Sequence, residues 1–241
     1  MKRLRVPSFI SRQQMASVSW FLTFALCLLP SALRGVPSAA ARQRVGPPTP
    51  LSAADLARQI QSHYSTVRDF KADFTHQYQG GMLRQTFSER GDVRIKKPGR
   101  MYWNYTAPEK KEFVSDGAKI YSYIKADNVV YVSDLPAGEQ TSTAVLFLAG
   151  RGDLVRDFRA SLPAVQPDAS WKLNLTPKTP QADFTSLSLT VDRRSLALQG
   201  LTSTDPQGGT QTFGFTNMRE NVELSDNQFV FKIPKDAEVR R

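Results

Sequence analysis

The sequence predicts a mostly β (α+β) fold: an unclosed antiparallel β-barrel of about eleven strands, covered by a lid of short helices. Apolar and polar residues alternate along a series of short segments, the pattern of strands with one buried face. Short turn sequences join these segments, which makes neighbouring strands antiparallel. Because strand twist accumulates, a sheet of this width curls into a partly closed barrel with a mouth.

The first predicted element is a helix that begins at Ser52 and ends at Tyr64. Ser52 and Asp55 have the spacing of a capping box, with Asp in place of the usual Glu or Gln. Leu56, Ile60 and Tyr64 recur every four residues and form one apolar face. We expect this helix to cover the core of the sheet.

The hydrophobic period changes from four to two at Phe70, where Phe70 and Phe74 alternate with Lys71 and Asp73. Later segments repeat this pattern, and turns such as the Asp-Gly pair at 116–117 are typical of hairpins. The predicted strands cover residues 70–78, 83–97, 100–106, 110–115, 118–125, 128–134, 171–176, 183–192, 196–204, 210–217 and 228–232.

Residues 137–160 interrupt the strands, and two short helices are predicted there. The run 145–148 is wholly apolar, and Leu154 and Phe158 have helical spacing behind a possible start at Asp153. These helices and the first one are the only elements able to cover the mouth of the barrel. We expect the apolar run to face inward because it is too apolar for an exposed surface.

Residues 1–41 have the composition of a cleaved signal peptide. A basic leader precedes the apolar run Trp20–Leu29, which is shorter than the stretch of about 20 residues that a membrane-spanning helix needs. Small residues at 39–41 suit a signal peptidase. We expect export, then a Pro-rich flexible lead-in at 42–51 and a single domain at 52–241.

Three alternatives stay open for the leader: cleavage near Ser31, translation from Met15 and lipidation of Cys27. Leu26 is bulkier than the glycine or alanine that a lipidation signal has before its cysteine, which disfavours the third.

Half of the net charge of +10 belongs to the leader. Residues 1–41 hold five Lys or Arg and no acid, so the rest has 32 − 5 = 27 basic against 22 acidic side chains, or +5. A nucleic-acid site needs a concentrated basic stripe. We expect no nucleic-acid partner.

Catalytic and metal-binding chemistry have few candidate residues. Cys27 is the only cysteine, and His63 and His76 are the only histidines. No nucleophile elbow, zinc-protease or phosphate-loop motif is present in the sequence. We expect no enzyme activity, no cofactor and no metal, and we interpret His76 as a strand-face residue.

Aromatic residues are concentrated in the predicted strands, beginning with Tyr102, Trp103 and Tyr105 and continuing at Phe113. Each of them could belong to the core. A barrel of this width can also leave an apolar cavity, the usual form of a lipid site. Apolar cargo is therefore the function that the residues favour.

The stretch 91–105 (GDVRIKKPGRMYWNY), followed by Pro108 and 114–119 (VSDGAK), resembles the signature region of the LolA family, the periplasmic carriers of outer-membrane lipoproteins. The similarity extends to 70–75 (FKADFT) and covers about residues 52–239.

The resemblance implies a periplasmic carrier that shields acyl chains in a hydrophobic cavity and hydrolyses nothing. It implies acylated lipoproteins as cargo, an inner-membrane ABC lipoprotein-releasing complex as donor and an outer-membrane lipoprotein acceptor. We expect a monomer. The predicted cavity residues are Leu56, Ile60, Phe74, Met101, Trp103, Tyr105, Phe113, Val145, Leu146, Phe147 and Leu148.

Lys97 is the candidate for a latch between lid and barrel. The resemblance implies an arginine at this position that bonds to the helical lid, and lysine lacks the planar fork of arginine. A solvated basic turn is the alternative.

The alternative function is a lipid- or lipoprotein-sensing regulatory binding module of the same half-barrel fold. A membrane-anchored acceptor is a third possibility and requires a lipidated cysteine such as Cys27.

Overall fold

The computed structural model of the chain describes residues 51–80, 86–135, 150 and 152–241, and twelve strands within these residues form one sheet. The helices are α1 (Ala53–Thr66), α2 (Leu154–Asp157) and a 3-10 helix (Asp226–Phe229). The strands are β1 (Asp69–Gln79), β2 (Thr86–Lys96), β3 (Arg100–Ala107), β4 (Lys111–Asp116), β5 (Lys119–Ile124), β6 (Val129–Asp134), β7 (Phe158–Ser161), β8 (Ser170–Pro177), β9 (Ser186–Asp192), β10 (Leu198–Thr204), β11 (Thr210–Glu220) and β12 (Glu238–Arg240).

The sheet consists of two meanders joined along β1 and β11. Its strand order is β12-β6-β5-β4-β3-β2-β1-β11-β10-β9-β8-β7, and every pair is antiparallel except the parallel pair of β12 and β6. Strands β12 and β7 are the two edges, so the sheet does not close. The mostly β class and the unclosed sheet are therefore confirmed.

Ten of the predicted strands correspond to strands of the structure, and the prediction at 228–232 is wrong. The chain there forms the 3-10 helix, which buries Phe229, and then continues without a sheet partner, leaving Val230 62% exposed. Alternating Phe229 and Phe231 satisfied the strand pattern, but a strand also needs a neighbour. Strands β7 and β12 were not predicted, because four and three residues are too short to establish a period.

Ser52 caps helix α1, as its spacing to Asp55 predicted, and the helix runs from Ala53 to Thr66, two residues beyond the predicted end at Tyr64. The hydroxyl of Ser52 accepts a hydrogen bond from the amide of Asp55 (3.1 Å) and donates one to the Asp55 carboxylate (2.6 Å). The buried face carries Leu56, Ile60 and Tyr64, and it packs against α2, β7 and β8. The predicted helix after residue 150 is shorter than expected. Asp153 caps α2, the helix ends at Asp157, and strand β7 begins at Phe158.

Gly91 is placed where no side chain fits. It lies on β2 between Phe74 of β1 and Tyr105 of β3, next to a shift in the β2–β3 register. A Cβ at Gly91 would lie 1.9 Å from the main-chain oxygen of Asn104 and 2.9 Å from the ring of Phe74. The missing side chain lets the Phe74 ring lie directly over β2.

Buried Asp69 fixes the chain that follows β11. It is 4% exposed, and its carboxylate accepts hydrogen bonds from the amides of Val222 (2.7 Å) and Leu224 (3.3 Å). The main-chain oxygen of Asp69 accepts a third from the amide of Asn221 (2.8 Å). These bonds satisfy a buried carboxylate with backbone donors and strengthen the junction of the two meanders.

Candidate functional site

An aromatic wall covers the core-facing side of the central strands. Phe74 is at its centre, with ring centroids 5.2 Å from Trp103 and 4.8 Å from Tyr105 in edge-to-face contact. Such contacts contribute about 0.5–1.5 kcal/mol each beyond the burial of area. The wall consists of Phe74, Trp103, Tyr105, Phe113, Phe213 and Phe215.

The strand register explains why these rings meet. Phe74 lies opposite Phe215 of β11 on one side and opposite Gly91 of β2 on the other. Gly91 in turn lies opposite Tyr105 of β3. The rings therefore come from both meanders, and they touch because β1 and β11 are neighbours.

The structure brings the described members of the predicted cavity set together. Leu56, Ile60, Phe74, Met101, Trp103 and Tyr105 belong to one buried apolar cluster, and half-buried Phe113 packs against it. Val145, Leu146, Phe147 and Leu148 lie outside the described residues.

A cavity of about 460 Å³ borders the wall at Phe213. Buried Phe184 and Leu201 line it together with Phe213, and its polar lining consists of Asp183, Ser203, Asp205, Gln207 and Gln211. This volume falls in the range of small-molecule sites, roughly 300–1,000 Å³. None of the predicted cavity residues that the structure describes lines this cavity; four of them, Phe74, Trp103, Tyr105 and Phe113, belong to the wall, which reaches the cavity at Phe213.

Sequence reasoning missed Phe213, Phe215 and Phe184 as site residues. The alternation at Phe213 and Phe215 indicates a strand, but it does not show that β11 pairs with β1. That pairing, which no local pattern reveals, is what places the two rings in the wall.

A polar trio of His76, Glu89 and Lys111 is embedded at the edge of the wall. Nδ1 of His76 lies 3.0 Å from Oε2 of Glu89, and the ammonium of Lys111 donates to Oε1 of Glu89 at 2.5 Å. His76 and Glu89 are only 8% and 9% exposed. The His76 ring stacks on Phe213 with 4.2 Å between centroids, and the Lys111 ammonium lies 4.5 Å from the centre of the Tyr105 ring.

Burial lowers the pKa of His76 below its ordinary value of 6.5. Glu89 acts in the opposite direction, through its hydrogen bond and its charge, while the positive charge of Lys111 lowers the pKa further. The imidazole is therefore neutral at neutral pH.

This shift makes stability depend on pH. Because the folded pKa of His76 is lower than the unfolded one, the unfolded chain binds more protons below pH 6.5. The contribution of a neutral His76 is complete above pH 6.5 and is lost as pH falls toward the folded pKa. We expect the urea midpoint to fall between pH 7.5 and 5.5, and to fall less in His76→Phe. A His76 ring that titrates at or above 6.5 by NMR would contradict this.

Lys97 connects the turn between β2 and β3 to α1. Its ammonium donates to the main-chain oxygen of Tyr64 in the last turn of α1 and lies 5.7 Å from the centre of the Tyr64 ring. Burial lowers the pKa of this ammonium, and the charge of Glu220 opposes the shift. A cation at the carbonyl end of a helix is favourable. The apolar stem of Lys97 packs on Gly150. A Cβ added at Gly150 would lie 2.6 Å from Cδ of Lys97.

Replacing Lys97 with methionine keeps the apolar stem but removes the bond to α1. We expect the free energy of unfolding to fall by about 1–2 kcal/mol, because a charged hydrogen bond is lost. Hydrogen exchange should become faster in the last turn of α1 in particular. Lys125→Met, at an exposed position, is the control and should change neither measurement. Equal exchange rates at Tyr64 in wild type and Lys97→Met would show that the bond does not hold the helix.

Within the described part of the chain, no three His, Cys, Asp or Glu side chains cluster closely enough to hold a metal ion. The same part contains no helix with the length and apolarity needed to span a membrane.

An open, mostly β sheet with an aromatic wall beside a cavity of mixed polarity is an arrangement that can hold a ligand with an apolar part. The family model described as outer membrane lipoprotein carrier protein LolA matches residues 65–232. The chain therefore belongs to the LolA family. The resemblance drawn from the signature region is thereby confirmed.

Relatives that match by sequence agree with the family match. An outer-membrane lipoprotein carrier protein of Chromohalobacter salexigens is 30% identical over 185 residues, which cover 77% of this chain and 86% of that protein. One of Cupriavidus pinatubonensis is 30% identical over 197 residues, covering 80% and 90%. Among solved structures, a LolA superfamily protein from Nitrosomonas europaea has 12% identity and a TM-score of 0.41, covering 73% of this chain and 97% of that one.

Proposed function

We propose that this protein is a periplasmic carrier that shields the acyl chains of lipoproteins and transfers them from the inner to the outer membrane. Membership of a family of lipoprotein carriers supports the class of cargo. The observation that supports the binding site is the aromatic wall beside the cavity at Phe213. Each methylene removed from water contributes about 0.8 kcal/mol, so an acyl chain needs such a surface to cross an aqueous compartment.

We further propose that the predicted cavity residues of the wall, with the apolar run 145–148, surround the acyl chains. Lys97 holds α1 against the β2–β3 turn while the carrier is empty. Opening of this contact would expose the wall to cargo. The next protein takes the cargo if it offers better burial, because only a difference in affinity shifts the equilibrium.

The proposed route begins at an inner-membrane ABC lipoprotein-releasing complex and ends at an outer-membrane lipoprotein acceptor. Residues 1–41 serve as the cleaved signal for export, 42–51 as a lead-in and 52–241 as the carrier domain. The acyl groups leave unchanged, because the protein acts by binding and not by hydrolysis.

The decisive experiment offers the purified mature protein a triacylated lipoprotein in detergent micelles or in inner-membrane vesicles that contain the releasing complex. We expect a detergent-free one-to-one complex in gel filtration, with intact acyl chains by mass spectrometry, and cargo transfer to vesicles that carry the acceptor. Binding without transfer would favour the alternative, a lipid- or lipoprotein-sensing module. Absence of any complex would refute both functions.

A further inference from the structure

The face of the sheet opposite to the aromatic wall carries a row of three cations. Side chains alternate between the two faces of a strand, so Lys71 is exposed while its neighbours Phe70 and Ala72 are buried on the core side. Lys71 lies opposite Arg94 of β2 on one side and opposite Arg219 of β11 on the other. Residues directly opposite one another project from the same face of a sheet. We call Arg94, Lys71 and Arg219 the basic row.

Two carboxylates lie beside the basic row, and both already have hydrogen-bond donors. The Asp92 carboxylate accepts hydrogen bonds from the guanidinium of Arg94 (3.1 Å) and from the side-chain amide of Asn104 (2.7 Å). The Asp73 carboxylate accepts one from the side-chain amide of Asn217 (2.6 Å). Asn217 has a φ of 55° and lies at a shift in the β1–β11 register, where a bulge can redirect a side chain. Only Arg94 of the basic row is therefore paired with a carboxylate.

Lys71 and Arg219 have no counter-ion of their own. Among the residues that the structure describes, neither side chain forms an ion pair or a hydrogen bond. Like charges directly opposite each other on neighbouring strands destabilise a sheet. The two exposed cations are thus placed side by side at a cost, and an anion from outside the chain would remove their repulsion.

The basic row borders a surface groove of about 460 Å³. Asp73, Asp92 and Asn217 line the groove together with the row, and the buried residues Ala72 and Val93 contribute to its floor. The groove therefore offers three positive charges, two of them unpaired, and two carboxylates that are already bonded. Carboxylates are suitable ligands for such a groove, because a guanidinium can bind one through two parallel hydrogen bonds.

The composition of the groove favours an acidic polypeptide over a membrane surface. Recognition of anionic lipids typically uses clusters of about four to eight Lys or Arg. The groove holds three cations, and a flat layer of headgroups would also meet the carboxylates of Asp73 and Asp92. A polypeptide segment can instead place its carboxylates on the cations and keep them away from the two aspartates.

We propose that the basic row is a docking surface for an acidic segment of a partner protein, whose carboxylates pair with Lys71 and Arg219. Neighbouring strands are about 4.8 Å apart, and alternate side chains of an extended segment are about 6.7 Å apart on one face. Long acidic side chains at every second position can therefore reach the row. Because the row and the aromatic wall lie on opposite faces of the sheet, a partner can hold the protein while a ligand occupies the wall. The inference does not depend on which ligand that is.

The test measures binding of a hexapeptide in which Glu and Gly alternate, labelled with a neutral fluorophore, by fluorescence anisotropy at low salt. The same peptide with Gln in place of Glu is the uncharged control, and wild type should bind only the Glu peptide. Lys71→Gln combined with Arg219→Gln should weaken binding roughly 10-fold, because two charged hydrogen bonds are lost. The matched control combines Arg159→Gln with Lys232→Gln, two exposed cations outside β1, β2 and β11, and should bind the Glu peptide as wild type does.

NMR on the wild-type protein locates the bound peptide without any substitution. The Glu peptide should shift the amide resonances of Lys71, Arg94 and Arg219 and leave the indole N–H of Trp103, in the aromatic wall, unchanged. Equal affinities of wild type for the two peptides, or equal losses in the two double variants, would overturn the inference. Binding to phosphatidylglycerol vesicles through the basic row, without binding of the Glu peptide, would assign the row to a membrane and would overturn it too.

The docking surface and the proposed function can fail separately. Both double variants should bind a triacylated lipoprotein as tightly as wild type, because their substitutions lie outside the aromatic wall. Failure of the Glu peptide to bind would therefore leave the carrier function intact. Failure of wild type to bind lipoprotein would contradict the proposed function and leave the docking surface intact.

Discussion

Replacing Gly91 with alanine is expected to lower the free energy of unfolding by about 3–5 kcal/mol, near the upper end for a single substitution. The added Cβ would lie 1.9 Å from a main-chain oxygen, and backbone within a sheet cannot move aside as a flexible side chain can. Phe74 would also be pushed from the centre of the aromatic wall. Urea unfolding followed by Trp fluorescence measures the change, since Trp103 contacts Phe74.

Gly200→Ala is the matched control, because Gly200 is also a strand glycine. The nearest atoms to a Cβ there are at 3.5 Å, which is ordinary contact. Its stability should change by less than about 1 kcal/mol. Gly91→Ala unfolding at the same urea concentration as Gly200→Ala would show that the close approach of β2 and β3 is not required.

Replacing Phe213 with glutamate is expected to weaken binding of a triacylated lipoprotein by roughly 100-fold, or about 3 kcal/mol. The carboxylate would lie where the aromatic wall meets the cavity, and acyl chains there would remove its water. Because Phe213 is only half-buried, the variant should still fold. Gel filtration of the complex with lipoprotein and a fluorescence titration measure the affinities of wild type and of Phe213→Glu.

Phe231→Glu makes the same change at another half-buried ring. Phe231 packs on Tyr121, with 5.4 Å between ring centroids, and does not contact the aromatic wall. The affinity of the Phe231→Glu variant for lipoprotein should equal that of wild type. If Phe213→Glu and Phe231→Glu weaken lipoprotein binding equally, the proposed binding surface at Phe213 is wrong.

The sequence was sufficient for the parts of the fold that depend on neighbours along the chain. Strands β1 to β6 form consecutive hairpins, so alternation and turn residues such as Gly117 indicate both their positions and their pairing. The cap of α1 at Ser52 could likewise be predicted from nearby residues alone. At Phe229 and Phe231 the same alternation was misleading, because whether a neighbour is available is a property of the whole sheet.

The candidate site depends both on patterns along the sequence and on the pairing of strands that are distant in the sequence. Phe74, Trp103 and Tyr105 were predicted because β1 to β3 are consecutive and the resemblance covers them. Phe213 was missed because its partner strand is far away in the sequence. His76 was interpreted as a strand-face residue, and it is one, but its pairing with Glu89 follows from the register of β1 and β2, which the sequence pattern did not define.

The junction of β1 and β11 also determines when the aromatic wall can form. Asp69 and Val222, which meet at this junction, are 153 residues apart, so the contact order of the wall is high and its formation is slow. Until β11 has been synthesised, the rings of Phe74 and Trp103 lack their contacts with Phe213 and Phe215. Unpaired apolar rings of this kind are prone to aggregate. The chain is therefore most prone to aggregation before β11 has paired with β1.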